Sequence, residues 1–160
     1  MSLKNSNASK KTHKFLLNKL KDRRTLKIYK KFENELAINK NFIVAVSGGP
    51  DSLALSFLSK IYSIKKSLDA KYFIVDHGLR KNSTSEAKNV QKKLKNFSIK
   101  SNILTWRGFK PKKNIQSIAR EKRYELLCDR AKKNRIENIL VGHHLDDVFE
   151  NFFIRILRGS

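Results

Sequence analysis

The chain has 160 residues, one cysteine, two prolines and a formal net charge of +22, from 36 Lys and Arg against 14 Asp and Glu. That length suits one α/β domain with a core of its own and leaves no room for a large second one. The hydrophobic 39% of residues falls in short runs, none near the roughly 20 apolar residues of a membrane-spanning helix, so a cytoplasmic protein without membrane contact is expected. Residues 1–11 are polar and lysine-rich with no apolar stretch, unlike a secretory signal. Cys128 alone makes neither an internal disulfide nor a cysteine metal site.

Such an excess of cations attracts polyanions, nucleic acid foremost. Compositional drift is the other reading, because 26 of the 36 basic residues are Lys and Asn adds 14 more. The distribution is regional: residues 1–40 carry 12 basic and 3 acidic residues, a net +9, whereas 142–160 carry 2 basic and 3 acidic, a net −1.

Phe15, Leu16, Leu17, Leu20, Ile28 and Phe32 recur among lysines as a broken helical pattern, one helix or two. Residues 1–40 are therefore expected to form a basic N-terminal helical segment ahead of a domain over 41–160. The run 42–46 reads as a short buried strand rich in β-branched and aromatic residues. Ser47-Gly48-Gly49-Pro50-Asp51-Ser52 interrupts it, and Leu53, Ala54, Leu55, Phe57, Leu58 and Ile61 continue as an apolar helix.

This unit of strand, turn and helix returns three times. Residues 72–75 form a strand, Asp76-His77-Gly78 its turn, and 83–97 a helix with Ser83 and Glu86 at capping-box spacing. A weaker strand over 99–104 leads through a loop with Gly108 and Pro111 to a helix over about 114–134, where Ile115, Ile118, Ala119 and Leu126 share a face. Residues 138–141 make the fourth strand, ended by Gly142, and 146–158 a last helix. The alternation predicts right-handed crossovers and an α/β fold, a parallel sheet with helices on both faces. Ligands of such sheets lie at the carboxyl ends of the strands near the switch point, where 47–52, 76–78 and 142–147 fall.

Placed between a strand and a helix, the 47–52 segment can converge backbone N–H groups and the positive end of a helix dipole on an anion. Two glycines allow close approach to a phosphate, and Ser47 and Ser52 add hydroxyl donors. The Lys of a Walker A loop and the third Gly of a dinucleotide fingerprint are both missing. The plainer alternative is a tight turn in which Asp51 and Ser52 cap the helix.

Ser-Gly-Gly-x-Asp-Ser after a buried strand resembles the PP-loop of the ATP pyrophosphatases, which split ATP into AMP and pyrophosphate. Within that superfamily, Val75-Asp76-His77-Gly78-Leu79-Arg80, Gln116 with Ala119-Arg120 and Arg123-Tyr124, and Gly142-His143-His144-Leu145-Asp146-Asp147 with Leu157-Arg158-Gly159-Ser160 resemble the tRNA(Ile)-lysidine synthase family. The resemblance implies a Rossmann-like sheet of the adenine nucleotide alpha hydrolase kind, with ATP held by Ser47, Gly48, Gly49, Pro50, Asp51, Ser52 and His77. It implies as partners an isoleucine tRNA with a CAU anticodon and free lysine. The 2-carbonyl of the wobble cytidine is adenylated, and lysine then displaces AMP to give lysidine. The family continues past Arg-Gly-Ser into C-terminal domains that help grip tRNA, so the expectation here is a catalytic domain without them.

The chemistry stands beside the resemblance. A carbonyl oxygen is a poor leaving group, and transfer of AMP onto it makes a good one that an amine can displace. Charge on the phosphates calls for backbone donors and a divalent metal, Mg2+, on oxygen ligands. Asp51, Asp146 and Asp147 are the carboxylates at that end of the sheet and the candidate catalytic groups, with Asp51 and Asp147 the candidate metal ligands.

His143 and Asp147 are four apart, as in a zinc pair, but no Cys or third ligand lies nearby. The favoured reading has His143 or His144 on phosphate, and Asp146 or Asp147 on magnesium or the lysine ammonium; simple complementing of the helix dipole is the alternative. Asp147, Asn151, Arg155 and Arg158 fall on one polar stripe of an otherwise apolar helix, a face turned toward the cleft. Asn151 stands where the family usually has Thr. Arg120 and Arg123 join His143, Arg155 and Arg158 as candidates for substrate or RNA contact, against an ordinary solvated helix. Trp106 and Phe109 offer a stacking face to a base, with core packing the alternative for the Trp. Two other functions stay open: another PP-loop tRNA-modifying enzyme such as a cytidine thiolase, for which paired cysteines are expected and only Cys128 is present, and a non-catalytic RNA-binding fragment.

Overall fold

The structure, a computed structural model, describes residues 13–142; the helix expected over 146–158 lies outside the described residues. Four strands, β1 (Phe42–Val46), β2 (Ala70–Asp76), β3 (Ser101–Thr105) and β4 (Asn138–Val141), form one sheet in the order β3-β2-β1-β4. All pairs are parallel, with Phe42 opposite Ala70 and Asn138, and Tyr72 opposite Ser101. Helix α1 covers 13–18 and α2 Arg23–Leu36, while α3 (Pro50–Lys66), α4 (Ser83–Asn96) and α5 (Ile115–Asn134) are the crossovers.

All five residues of β1 are buried, as a central strand covered on both faces requires. Its side chains alternate between two cores. Phe42, Val44 and Val46, with Tyr72 and Ile74 of β2, pack on α3 and α4 through Ile61, Tyr62, Ala87 and Leu94. Ile43, Ala45 and Phe73 meet Leu127 and Ala131 of α5 on the other side. Handedness explains the division. Two right-handed crossovers step from β1 to β2 to β3 and leave α3 and α4 on one face; the third steps back past β1 to β4 and places α5 on the opposite face. The reversal puts the switch point, and its crevice, between β1 and β4.

The N-terminal segment does form two helices. Asp22 breaks it by accepting both the backbone N–H and the hydroxyl of Thr25 at 2.8 Å, which caps α2. Leu16 and Tyr29 are fully buried in the same core as Phe42, and the Tyr62 hydroxyl donates to the Ile38 carbonyl at 2.7 Å. The described part of this basic segment is thus packed onto the sheet domain. None of the described helices is long and apolar enough to cross a membrane.

Two local expectations are corrected. The capping box of Ser83 and Glu86 does not form: Asn82 is the N-cap of α4, without a side-chain cap bond, because the hydroxyls of the first turn are drawn to Asp76. The buried stripe of α5 runs through Ala119, Leu127 and Ala131, and Ile115 is 42% exposed.

Candidate functional site

The segment between β1 and α3 is shaped by its serines and glycines. Ser52 Oγ accepts the Gly48 N–H at 3.0 Å and the Ser47 hydroxyl at 3.1 Å, and donates to the Gly49 carbonyl at 3.0 Å. Both hydroxyls expected to face an anion are therefore engaged within the loop, and the main chain is left as its donor surface. Gly48 has φ +92°, and a Cβ there would overlap Val90 Cγ2 of α4. Gly49 is the N-cap of α3, and Pro50 opens the helix, where its missing N–H is no loss. Asp51 lies exposed in that first turn, on the side of the dipole that favours a carboxylate. From β4, Gly142 abuts this turn so closely that a Cβ would come 3.0 Å from Ser52 Cα and 3.1 Å from its nitrogen.

Beside the loop, a cleft of about 260 Å³ opens over the carboxyl ends of β1, β2 and β4. Its lining is apolar below, with Ala45, Ile74 and Val141, and polar above, with Ser47, Ser52, His77 and Arg123.

Asp76, 2% exposed, ends β2 and organises one wall. Its carboxylate accepts the Gly78 N–H at 2.9 Å and the Thr84 hydroxyl at 2.7 Å. Burial pushes its pKa up, but Thr84, Ser83 and Gly78 as donors, helped by His77, outweigh burial and hold it below the ordinary 3.8. The resulting fixed charge ties the end of β2 to the first turn of α4 and sets the His77-Gly78 turn, where Gly78 has φ +60°.

His77 is half-buried, and its Nδ1 is buried without a hydrogen-bond partner among the described residues. Burial lowers its pKa below 6.5; Arg123 and Lys110 add to this and Asp76 opposes it. The imidazole is thus neutral at neutral pH. Arg123 stands four residues after Ala119 and four before Leu127, on the buried stripe of α5, which carries a partly buried guanidinium to the cleft. Burial depresses its pKa too, though arginine stays charged.

Of the residues singled out from sequence, Ser47, Gly48, Gly49, Pro50, Asp51 and Ser52 form one loop and helix start; Ser47 and Ser52 line the cleft together with His77 and Arg123, whereas Gly48, Gly49, Pro50 and Asp51 lie beside it. Arg120 is partly buried nearby and does not line the cleft. His143, Asp146, Asp147, Arg155 and Arg158 lie outside the described residues, as does the His143–Asp147 zinc pair. Trp106 is 7% exposed and presents no stacking face. Sequence reasoning missed the anchoring role of Asp76, whose signal was the hydroxyl pair Ser83-Thr84, and missed Lys110, which donates to the Trp106 carbonyl at 2.7 Å and had no signal at all.

The family model of the PP-loop domain matches residues 18–160. The chain belongs to the PP-loop family. Its domain is an ATP-binding one, and a cleft with an apolar floor and His77 in its lining suits a heteroaromatic ligand. The PP-loop chain is 42% identical over 122 residues to the tRNA(Ile)-lysidine synthase of Orientia tsutsugamushi, covering 76% of this chain and 28% of that protein. Over 128 residues it is 37% identical to the tRNA(Ile)-lysidine synthase of Bradyrhizobium diazoefficiens, covering 79% of this chain and 36% of that protein. It therefore spans about a third of the length of these curated relatives. A solved U34-tRNA thiolase from Methanococcus maripaludis superposes with a TM-score of 0.73 at 19% identity, over 87% of this chain and 52% of that one, a likeness of fold.

Among the described residues no three His, Cys, Asp or Glu side chains cluster as a metal cage. Magnesium is usually bound through one or two carboxylates together with substrate phosphates. Asp51, a carboxylate at the first turn of α3, is of the chemical type that role needs, and Asp76 accepts from Gly78 and Thr84.

Proposed function

We propose that this chain is the ATP-dependent catalytic domain of a tRNA(Ile)-lysidine synthase, joining lysine to C2 of the wobble cytidine of the CAU-anticodon isoleucine tRNA. The observation that carries the reading is the Ser47 to Ser52 loop, set at the β1/β4 switch point beside the cleft walled by His77 and Arg123. Relatives of that name, 37% and 42% identical, support the choice of substrate.

In this reading the ATP phosphates lie over the N-terminus of α3, where N–H groups of the first turn converge, and the adenosine occupies the apolar part of the cleft against His77. Arg123 contributes positive charge from the facing helix. The cytidine O2 attacks the α-phosphorus, the bond to the β-phosphate breaks, and pyrophosphate leaves. A lysine amine then attacks C2 and releases a proton to solvent, and AMP departs with the former carbonyl oxygen. Backbone N–H groups fixed by the Ser52 hub meet the charge developing on phosphate without reorganising. Asp51, with Asp147, would hold Mg2+, which supplies further positive charge to the phosphates; Asp146 orients the lysine ammonium. In this reading the protein works in the cytoplasm, where its tRNA substrate is.

The test is incorporation of labelled lysine into an isoleucine tRNA transcript with ATP and magnesium, by this chain and by a version extended with the C-terminal region of the Orientia relative. Label in RNA from either supports the reading, and label from the extended version alone assigns the grip on tRNA to the added region. Silence from both, with ATP bound, overturns it.

A further inference from the structure

We propose that the loop joining β3 to α5, residues 106–114, docks single-stranded RNA, with Phe109 as the platform on which one base stacks. The inference deepens the tRNA reading and rests on it for the choice of nucleic acid.

The loop is pinned at its base. Trp106 is 7% exposed and donates its N–H to the Asp76 carbonyl at 2.9 Å. Its ring meets His77 edge to face, with centroids 6.4 Å apart. Lys110 turns back over the same indole, with Nζ 3.8 Å from the ring centroid, and donates to the Trp106 carbonyl at 2.7 Å. A Cβ on Gly78 would lie 3.5 Å from Lys110 Cε, so this clamp rests against the turn that walls the cleft. Between the two anchors, Gly108 takes φ +103° and the chain bulges outward.

What the bulge presents is unusual for a water-facing turn. Phe109 is 83% exposed, the most exposed of the large hydrophobic residues described. Leaving such a ring in water forgoes the stabilisation that burial would give it. From 106 to 114 the chain has Arg107, Lys110, Lys112 and Lys113 and no Asp or Glu. Lys110 serves the clamp, while Arg107, Lys112 and Lys113 are exposed.

An exposed aromatic ring beside Arg107, Lys112 and Lys113, cations whose ion pairs are absent among the described residues, matches single-stranded nucleic acid, whose unstacked bases seek a π-face and whose phosphates seek charge. Paired RNA keeps its bases stacked and offers no such face. An apolar protein partner would need a broader patch than one ring. Because the clamp fixes the loop beforehand, less ordering entropy is lost on binding. The base of the loop, through Trp106 and Lys110, adjoins His77 and Gly78 at the end of β2.

The experiment is fluorescence anisotropy of the full chain with a labelled single-stranded RNA of about a dozen nucleotides and with a blunt duplex of similar length. Phe109→Ala should weaken single-strand binding by about 5- to 150-fold, the equivalent of 1–3 kcal/mol of stacking. Phe109→Tyr should restore most of it, and duplex binding should not change. Replacing Arg107, Lys112 and Lys113 by Gln should flatten the single-strand salt dependence by about 0.7 in slope per lost phosphate contact. The melting temperature and ATP affinity of Phe109→Ala should match the parent, so these results stand apart from any failure of lysine incorporation. Single-strand affinity within about twofold of the parent, or an equal loss on duplex, overturns the proposal.

Discussion

Replacing Gly48 with alanine probes the point where backbone strain and side-chain packing meet in the phosphate loop. At φ +92° a non-glycine residue is strained, at a cost of about 1–2 kcal/mol. The new methyl also overlaps Val90 Cγ2, a side chain packed against the main core, and forcing it aside adds about 1–3 kcal/mol. The sum, about 2–5 kcal/mol, lowers the melting temperature of a chain this size by about 4–20 °C. Val90→Ala alone removes part of a half-buried side chain and costs about 1 kcal/mol. In the double variant the overlap is gone and the strain remains, so it should be about 1–3 kcal/mol more stable than the two single losses added together. Urea unfolding of the four proteins, followed by the fluorescence of the single, buried Trp106, measures this coupling directly. ATP affinity should fall more than about tenfold for Gly48→Ala in either background, a loss of about 1.4 kcal/mol or more, because the same backbone carries the proposed phosphate contacts. Additivity within about 0.5 kcal/mol would refute the close approach of α4 to the loop, and an undiminished Gly48→Ala would refute the loop conformation itself.

Other substitutions report on the remaining contacts. The pKa of Asp76 is held below 3.8, so its contribution is complete above about pH 4 and is lost as pH falls through the lowered folded value. Asp76→Asn should therefore cost about 1–3 kcal/mol at neutral pH and flatten the acid limb of stability, read from urea midpoints across pH; an unaltered limb would remove Asp76 from its anchoring role. Gly142→Ala drives a methyl against the Ser52 backbone, which cannot yield as a flexible side chain would. A stability loss of about 1–3 kcal/mol and weaker ATP binding by calorimetry are expected, and parent-like values would mean that β4 does not press on the loop. Arg123→Gln removes a cation that lowers the pKa of His77, so the His77 ring proton titration should move upward in NMR; no movement would separate the two groups. Asp51→Ala, at an exposed position in the first turn of α3, should abolish pyrophosphate release from ATP at a stability loss of no more than about 1 kcal/mol, and collapse of the melting transition would instead mark Asp51 as a structural cap.

The fold was legible because burial on both faces writes itself into composition. Residues 42–46 are an apolar run of strand length, buried throughout; at 138–141 three apolar residues follow Asn138, and that strand of the parallel sheet is half-buried among the described residues. The position of the loop was equally legible, since a glycine pair between an apolar strand and an apolar helix marks a tight turn with close backbone approach, which residues bearing a Cβ rarely allow. Less was legible where partners come from distant segments. Ser83 and Glu86 had the spacing of a capping box, yet a carboxylate seven residues before Ser83, at the end of β2, took the hydroxyls. The apolar residues of 114–134 did not reveal that two alanines and Leu127 would face the sheet and Ile115 would not.

By itself, then, the sequence determined the order of the described strands and helices, the loop between β1 and α3 and the family, because each element and each motif is written in residues near one another in the chain. Tertiary structure alone decided which of Trp106 and Phe109 is buried, that Arg123 reaches the cleft beside His77, and that Val90 and Gly142 hem in the loop from α4 and β4. Those outcomes depend on which crossover lies over which face of the sheet, and chain handedness and close packing settle that only once the whole sheet is assembled.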